Sequence, residues 1–208
     1  MARDAALSTE QAILDAAERL FMAKGYALTS TTEIAKVAGC NQALVHYYFR
    51  TKGKLFEAVF ERKFALFLSV FGQAASRSLP FESRIATLIG AHFEVLRSNP
   101  QLPFLIVNEL LTNEKRLEEM AKKLTPVMKK ALVSLQSELD AEAEKGTIRR
   151  VAAIDLAMTV VSLNAFFFLM NPIYSALAKP SDREREKMIE HRRQEHVDLV
   201  MKYLRNEV

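Results

Sequence analysis

Residues 30–49 carry the start and stop signals of two short helices with only a tight turn between them. Ser30 and Glu33 have the spacing of a capping box at a helix N-terminus. Gly39 stands where this helix should end in a left-handed residue, and Asn41 is a favourable N-cap for the next helix. Because two helices joined by so short a glycine-containing turn form a helix-turn-helix, the pattern predicts that motif here.

The rest of the chain is helical in pattern as well. Its 208 residues include only six glycines and six prolines, so the turn signals that separate strands are scarce. Apolar residues recur at the helical period instead. The sequence therefore predicts an all-α fold, with a small helix-turn-helix domain at residues 1–55 and a larger helical domain at residues 56–208.

Three further boundaries are predicted from capping and helix-breaking residues. Ser8 with Gln11 predicts the N-terminus of the first helix. Pro126 is expected to kink or interrupt a long amphipathic helix. Pro172 is expected in the loop that follows an apolar helix over residues 152–170.

That apolar segment is long enough to raise the alternative of a membrane span. It contains Asp155, Thr159, Ser162 and Asn164, whose polar groups would be costly to bury in lipid. A helix that is apolar on nearly every side can also be buried in protein. We therefore favour a buried helix and expect no membrane partner.

The single cysteine, Cys40, cannot form an internal disulfide, which fits a reducing cytoplasm. At a turn it could act as a redox switch or, more commonly, be a small turn residue. The net charge of +4 permits a nucleic-acid partner without demanding one. We expect no cofactor and no enzymatic activity, because the sequence has no glycine-rich phosphate loop, metal-ligand cluster or nucleophile motif.

The second helix of a helix-turn-helix lies in the DNA major groove. Its outward residues here can contact bases: the amide of Gln42 can pair with adenine, and Ala43 can meet a thymine methyl group. Hydroxyls at the start of the preceding helix can bind phosphate. The predicted DNA-binding residues are Thr31, Thr32, Gln42, Ala43, His46, Tyr47, Tyr48 and Lys52.

The alternative is a helical hairpin that simply faces solvent. Lys52 and Lys54 would then be ordinary surface residues, but positive charge at a helix N-terminus opposes the helix dipole. An anionic partner explains this placement better, so DNA binding is the favoured interpretation.

Residues 13–60 resemble the DNA-binding domain of the tetracycline-repressor-like (TetR) family. The matching positions are Ala16, Ala17, Phe21, Gly25, Tyr26, Ile34, Ala35, Ala38, Gly39, Tyr48, Phe49, Lys52 and Leu55. The resemblance implies a homodimer of about nine helices per chain, in which three N-terminal helices bind DNA and the last two form the dimer interface. Leu44, His46 and Gly53 depart from the family pattern, which leaves the operator sequence open.

The C-terminal domain of the family often holds a small-molecule pocket, but the resemblance identifies no ligand residues. From residue type alone, an apolar cavity with a few polar contacts is expected. The candidate pocket residues are His92, Phe93, Phe104, Asn108, Met120, Phe167 and Tyr174. Met128 and Asn164 are further candidates, although apolar residues at helical spacing are commonly core and Asn164 could instead fix dimer register.

A dimer is also favoured by the run Phe166, Phe167 and Phe168, because three consecutive aromatic residues cannot all face one core. The last helix adds an apolar face with a polar rim. The predicted interface residues are Phe166, Met170, Ile189, Arg192, His196, Val200 and Tyr203.

The sequence thus predicts a transcriptional regulator, most plainly a repressor that binds a palindromic operator as a homodimer and is released by a small, largely apolar effector. The alternative is an effector-independent DNA-binding protein that acts through a protein partner.

Overall fold

The computed structural model describes residues 2–74 and 79–205 of the chain. Over these ranges the chain forms nine α-helices and no strand, which confirms the all-α prediction. The helices are α1 Ala2–Lys24, α2 Thr31–Ala38, α3 Gln42–Phe49, α4 Lys52–Ala74, α5 Phe81–Ser98, α6 Leu102–Leu111, α7 Glu114–Glu144, α8 Ala153–Ala178 and α9 Asp182–Arg205.

The chain divides into two compact units, Met1–Leu68 and Ser69–Val208. The boundary between these units falls within α4. The division predicted between residues 55 and 56 stays a prediction.

The first unit packs around an aromatic cluster. The rings of Phe21 and Phe56 meet edge to face with centroids 5.2 Å apart, and Tyr26 lies 5.2 Å from Phe56. Ile13 and Ile34 are fully buried in the same unit. Because α1, α2 and α3 contact one another, this core fixes the position of the short helices α2 and α3.

The predicted start of the first helix is wrong. Helix α1 begins at Ala2, so Ser8 lies inside the helix rather than at its cap. The preceding residues include three alanines and a leucine, which are strong helix formers, and these extend the helix beyond the capping signal.

The second unit has its core between α5, α8 and α9, with residues of α7 added from one side. Its buried residues include Ile89, Leu139, Leu156 and Val200. The N-terminus of α8 is held by Gln136 of α7, whose side-chain oxygen accepts the Ala153 N–H at 2.7 Å.

The two prolines within long helices are tolerated. Pro126 lies inside α7, which continues through it without interruption. The loop predicted at Pro172 is wrong, because Pro172 lies inside α8 and the helix continues to Ala178. A proline removes one backbone hydrogen bond, and the apolar residues on both sides of Pro172 continue the helix.

Helix α8 is also apolar enough in length and composition to be a candidate membrane span, the one such helix in the described part of the chain. One such helix is weak evidence for a membrane, because core helices have the same composition.

Candidate DNA-binding site

The turn between α2 and α3 is built by the capping residues predicted from the sequence. The Ser30 hydroxyl accepts the Glu33 N–H at 3.1 Å, and the Asn41 side-chain oxygen accepts the Leu44 N–H at 3.0 Å. Gly39 has a φ of 70°, a left-handed conformation that other residues adopt only with strain. These three residues therefore confirm the predicted helix-turn-helix and set the direction in which α3 leaves the turn.

One side of α3 is anchored in the core and the other faces solvent. Val45 is only 2% exposed, whereas Tyr47 is 67% exposed. Gln42, Ala43 and His46 are also exposed. Four of the eight predicted DNA-binding residues thus lie together on the accessible face of one short helix.

Side-chain hydrogen bonds join this face to the start of α2. The Gln42 amide nitrogen donates to the Thr31 hydroxyl at 3.0 Å, and the Thr32 hydroxyl donates to the Gln42 side-chain oxygen at 3.1 Å. The Gln42 nitrogen also lies 3.4 Å from His46 Nε2. The structure therefore brings together four residues that the sequence placed on two separate helices.

The sequence analysis missed Arg50 in this region. Its carbonyl oxygen lies 3.2 Å from His46 Nδ1, and its φ of 63° is positive. Thr51 N–H donates to the Phe49 carbonyl at 2.6 Å, which closes a γ-turn centred on Arg50. No sequence signal predicts this turn, because arginine rarely adopts positive φ.

The remaining predicted contact residues lie near the end of α3 and at the start of α4. Tyr48 is half-buried and meets the Tyr47 ring edge to face, with centroids 5.2 Å apart. The Lys52 ammonium lies 4.2 Å from the centre of the Tyr26 ring, a cation–π contact. Lys54 pairs with Glu57 at 2.7 Å, so its charge is partly compensated.

Cys40 lies in the turn itself and is half-buried. Burial raises the pKa of its thiol above the ordinary value. A thiol with a raised pKa holds its proton and is a weak nucleophile, which favours the role of a small turn residue.

The second unit contains a buried polar cluster at residues predicted for a ligand pocket. Asn164 is fully buried, and its amide nitrogen donates to the Ile89 carbonyl at 3.1 Å and to His92 Nδ1 at 3.0 Å. Its oxygen accepts from His196 Nδ1 at 2.8 Å. Asn164 therefore links α5, α8 and α9 within one chain, and its burial there leaves it no surface for fixing dimer register.

Burial makes both histidines of this cluster weak bases. It lowers the pKa of His92 to about 4. Burial also lowers the pKa of His196, with a smaller contribution from the positive charge of Arg192. Burial therefore keeps both rings neutral near pH 7, and for His92 the bond that its Nδ1 accepts from Asn164 requires this.

The structure separates the predicted pocket residues into two groups. His92, Phe93 and Met120 are buried, and Phe167 stacks on Phe93 with ring centroids 5.7 Å apart. Three other residues of the set are exposed on the surface: Phe104, Asn108 and Tyr174.

An open groove of about 600 Å³ lies between α7 and the start of α8. It is mainly apolar, with Met128 among its walls and Lys129 and Gln136 among its polar residues. The residues that line this groove are Leu124, Thr125, Met128, Lys129, Leu132, Val133, Gln136, Ala153 and Ile154. Met128 is a candidate pocket residue from its sequence position. The groove itself could not be predicted, because predicting it requires knowing which faces of α7 and α8 meet.

Comparison with known proteins identifies the family. Residues 13–59 match the family described as bacterial regulatory proteins, tetR family, and residues 82–200 match the tetracyclin repressor-like C-terminal domain. The chain belongs to the TetR family. It is thus a DNA-binding transcriptional regulator and not an enzyme, as the sequence predicted.

Similar proteins include relatives by sequence and by structure. The fatty acid metabolism regulator protein of Bacillus subtilis (strain 168) is 25% identical over 149 residues, which cover 72% of this chain and 75% of that protein. The TetR family regulator PfmR of Thermus thermophilus superposes with a TM-score of 0.67 at 19% identity, covering 91% of this chain and 97% of PfmR. A tetR-family protein from Rhodococcus RHA1 gives a TM-score of 0.71 at 18% identity, covering 94% and 96% of the two chains. The two structural similarities show a shared fold.

TetR family regulators bind DNA and act as dimers. Among the predicted dimer residues, Phe166 is 61% exposed and Met170 and Arg192 are also exposed. Ile189 and Tyr203 are half-buried. The other two members of the set, His196 and Val200, lie in the interior of their own chain.

Proposed function

We propose that this TetR protein is a cytoplasmic repressor that binds a palindromic operator as a homodimer and is released by an apolar effector. The observation that carries the DNA-binding part is the exposed α3 face. Gln42, His46 and Tyr47 are accessible there, while Val45 anchors the helix in the core. A helix held in this way can enter the major groove without rearranging its own packing.

Each predicted contact has a distinct task in this proposal. Gln42 and Ala43 contact base edges, His46 supports the Gln42 amide beside them, and Tyr47 reaches either a base edge or a phosphate. Thr31 and Thr32 lie at the N-terminus of α2, where hydroxyls and backbone N–H groups can receive a phosphate. Contacts from Tyr48 and Lys52 to a second phosphate complete the set.

The proposed dimer surface is the outer face of α8. Phe166 is 61% exposed, Ile173 is 52% exposed and Leu177 is 81% exposed, and an apolar helix face of this kind is normally covered by a partner. Leu199 on α9 is exposed as well. We therefore assign the interface to exposed residues of α8 and α9, with Phe166, Met170 and Arg192 retained from the sequence prediction.

The operator can be found by selection from a random pool of short DNA duplexes with the purified protein at moderate salt. We expect an enriched palindrome with half-sites about 34 Å apart, one per recognition helix. Tyr47→Ala should weaken enrichment, whereas the matched aromatic control Phe104→Ala, 54% exposed on α6 and outside the proposed interface, should keep it. Binding without any enriched sequence would contradict the proposal.

For the effector we propose a long-chain acyl compound held in the groove between α7 and α8. The apolar walls of the groove suit an acyl chain, and Lys129 can pair with an anionic head group. The Bacillus subtilis relative is named as a fatty acid metabolism regulator, which supports this class of ligand. We further propose that the bound acyl chain acts through α4, the helix that belongs to both units.

This effector proposal can be separated from the effector-independent alternative, which the close packing of His92 and Phe93 favours. Operator release should be titrated with a long-chain acyl-CoA, the free fatty acid and coenzyme A alone. Release by the acyl compounds should be abolished by Met128→Arg, which fills the groove, and retained in Val127→Arg, an exposed α7 control outside the groove lining. No release by either acyl compound would favour the alternative.

A further inference from the structure

The side chain of Gln42 is already engaged before any DNA arrives. One amide hydrogen is directed to the Thr31 hydroxyl and the other to His46 Nε2. An amide nitrogen has only two hydrogens, so both are in use. The side-chain oxygen accepts one bond from Thr32 and keeps one lone pair for a further donor.

The orientation of this amide is decided by the Arg50 carbonyl. A carbonyl can only accept, so His46 Nδ1, at 3.2 Å from it, must carry the proton. The neutral ring then presents Nε2 as an acceptor, and only the nitrogen of Gln42 can bond to it. If the amide were turned over, its oxygen would face the Nε2 lone pair, and the two acceptors would repel each other.

The position of the Arg50 carbonyl depends in turn on the γ-turn. Arg50 has φ 63° and ψ −54°, and its own N–H donates to the His46 carbonyl at 2.9 Å. This positive-φ turn is an uncommon and strained conformation for a residue with a side chain. It directs the Arg50 carbonyl back toward the His46 ring at the end of α3.

We propose that the Arg50 carbonyl and His46 together fix the Gln42 amide, so that only its oxygen, a hydrogen-bond acceptor, is available to a DNA base. This inference rests on the proposed function, in which α3 reads operator bases. Two bases present an amino donor in the major groove, adenine through N6 and cytosine through N4. Gln42 in this state selects either of these bases and rejects guanine and thymine at the position it faces.

The usual pairing of glutamine with adenine is different. It is bidentate, with the amide nitrogen donating to N7 while the oxygen accepts from N6. Here the donation to N7 requires breaking the bond to Thr31 or to His46. Freeing one amide hydrogen therefore converts a preference for adenine or cytosine into a preference for adenine alone.

Selection from the random pool of DNA duplexes tests this fixed orientation of Gln42 in four proteins in parallel. They are the native chain, Thr31→Val, His46→Phe and the control Thr87→Val, whose exposed hydroxyl donates only to the Ser83 carbonyl in the second unit. The native chain and Thr87→Val should accept adenine and cytosine to a similar extent at one position of each half-site. Thr31→Val and His46→Phe should favour adenine there by about fivefold or more.

His46 acts through Gln42 and is a positioning residue, so a second readout separates this role from a structural one. The ¹⁵N chemical shifts of the His46 ring should show the proton on Nδ1 in the native chain and in Thr31→Val. Thermal unfolding should confirm that both variants keep their fold.

Three results would overturn the inference while the proposed function stands. They are a strict adenine preference in the native chain, an unchanged base preference in both variants, or a His46 proton on Nε2. A protein that enriches no sequence at all would overturn the proposed function and this inference together. An enriched palindrome with an unchanged base preference would overturn the inference alone.

Discussion

The two units of the molecule each contain a side-chain amide bonded to histidine, in opposite surroundings. Gln42 is exposed and bonds to Thr31, Thr32 and His46. Asn164 is fully buried and bonds to the Ile89 carbonyl and two histidines. The hydrogen-bonding groups at the two sites are nearly the same, but water reaches only Gln42.

That difference decides what each amide can do. The open lone pair of the exposed Gln42 oxygen is hydrated in the absence of DNA, so it can exchange water for a base amino group at little cost. Water cannot reach Asn164, so a bond lost there leaves an unsatisfied group. The first amide is therefore suited to recognition, and the second specifies how α5, α8 and α9 pack.

The largest expected effect comes from removing the buried amide. Asn164→Ala removes one buried hydrogen bond each from the Ile89 carbonyl, His92 and His196, and it should lower the free energy of unfolding by about 3–4 kcal/mol. Urea unfolding followed by circular dichroism measures this loss. The matched control is Asn171→Ala in the same helix, whose buried amide nitrogen has no hydrogen-bond partner. It should change the stability by less than about 1 kcal/mol, and equal losses in the two variants would refute the role of Asn164.

Acid should destabilise the protein through the same cluster. An unfolded histidine binds a proton near pH 6.5, whereas His92 in the fold does so only near pH 4. Between these values the unfolded state binds more protons, so stability is fully present above pH 6.5 and is lost as the pH falls toward 4. The lowered pKa of His196 acts in the same direction.

The His92 contribution to this loss is about 3 kcal/mol. It should appear as a fall in the urea midpoint between pH 7 and pH 4.5. His92→Gln should flatten this dependence, and His191→Gln, at an exposed position of α9, should leave it as in the native chain. A native profile that does not change over this range would contradict the neutral buried ring.

Removing the exposed amide should affect DNA binding and not stability. Gln42→Ala should weaken binding to the selected operator by about tenfold. Its free energy of unfolding should stay within about 0.5 kcal/mol of the native value. Fluorescence anisotropy and urea unfolding give the two numbers, and a large loss of stability would erase the contrast with Asn164.

The smallest effect is expected at the start of α4. Lys52→Met should weaken binding uniformly across DNA sequences and reduce the slope of log K against log salt by about 1. Lys54→Met should change the slope less, because Lys54 is paired with Glu57. A change in sequence preference for Lys52→Met would instead assign that residue to base recognition.

The helix-turn-helix could be predicted because its signals are local. Ser30, Gly39 and Asn41 each act on the backbone within a few residues, so their effects can be deduced from sequence spacing alone. The exposed face of α3 follows from the helical period once Val45 is assigned to the core.

The rest of the site depends on contacts between distant residues. The bonds that join Gln42 to Thr31 and Thr32 require the crossing of two helices, and the γ-turn at Arg50 contradicts the preference of arginine. The signals at Ser8 and Pro172 failed for a different, local reason, because helix-forming neighbours outweighed a single cap or proline.

Helix α9 also shows that the sequence does not reveal which distant elements will pack together. Val200 and Leu199 are adjacent and both apolar, yet Val200 is 1% exposed and Leu199 is 54% exposed. Apolar residues on both faces give no indication of which face meets its own chain. Only the packing of α9 against α5 and α8 places His196 and Val200 inside.

The central claim is that two recognition helices, one from each chain of a dimer, read one palindrome. Native mass spectrometry of the protein with the selected operator duplex tests it most directly, alongside a duplex in which one half-site is scrambled. We expect two chains on the intact palindrome and a large loss of affinity for the scrambled duplex. One chain per duplex, bound equally well to both DNAs, would contradict the account.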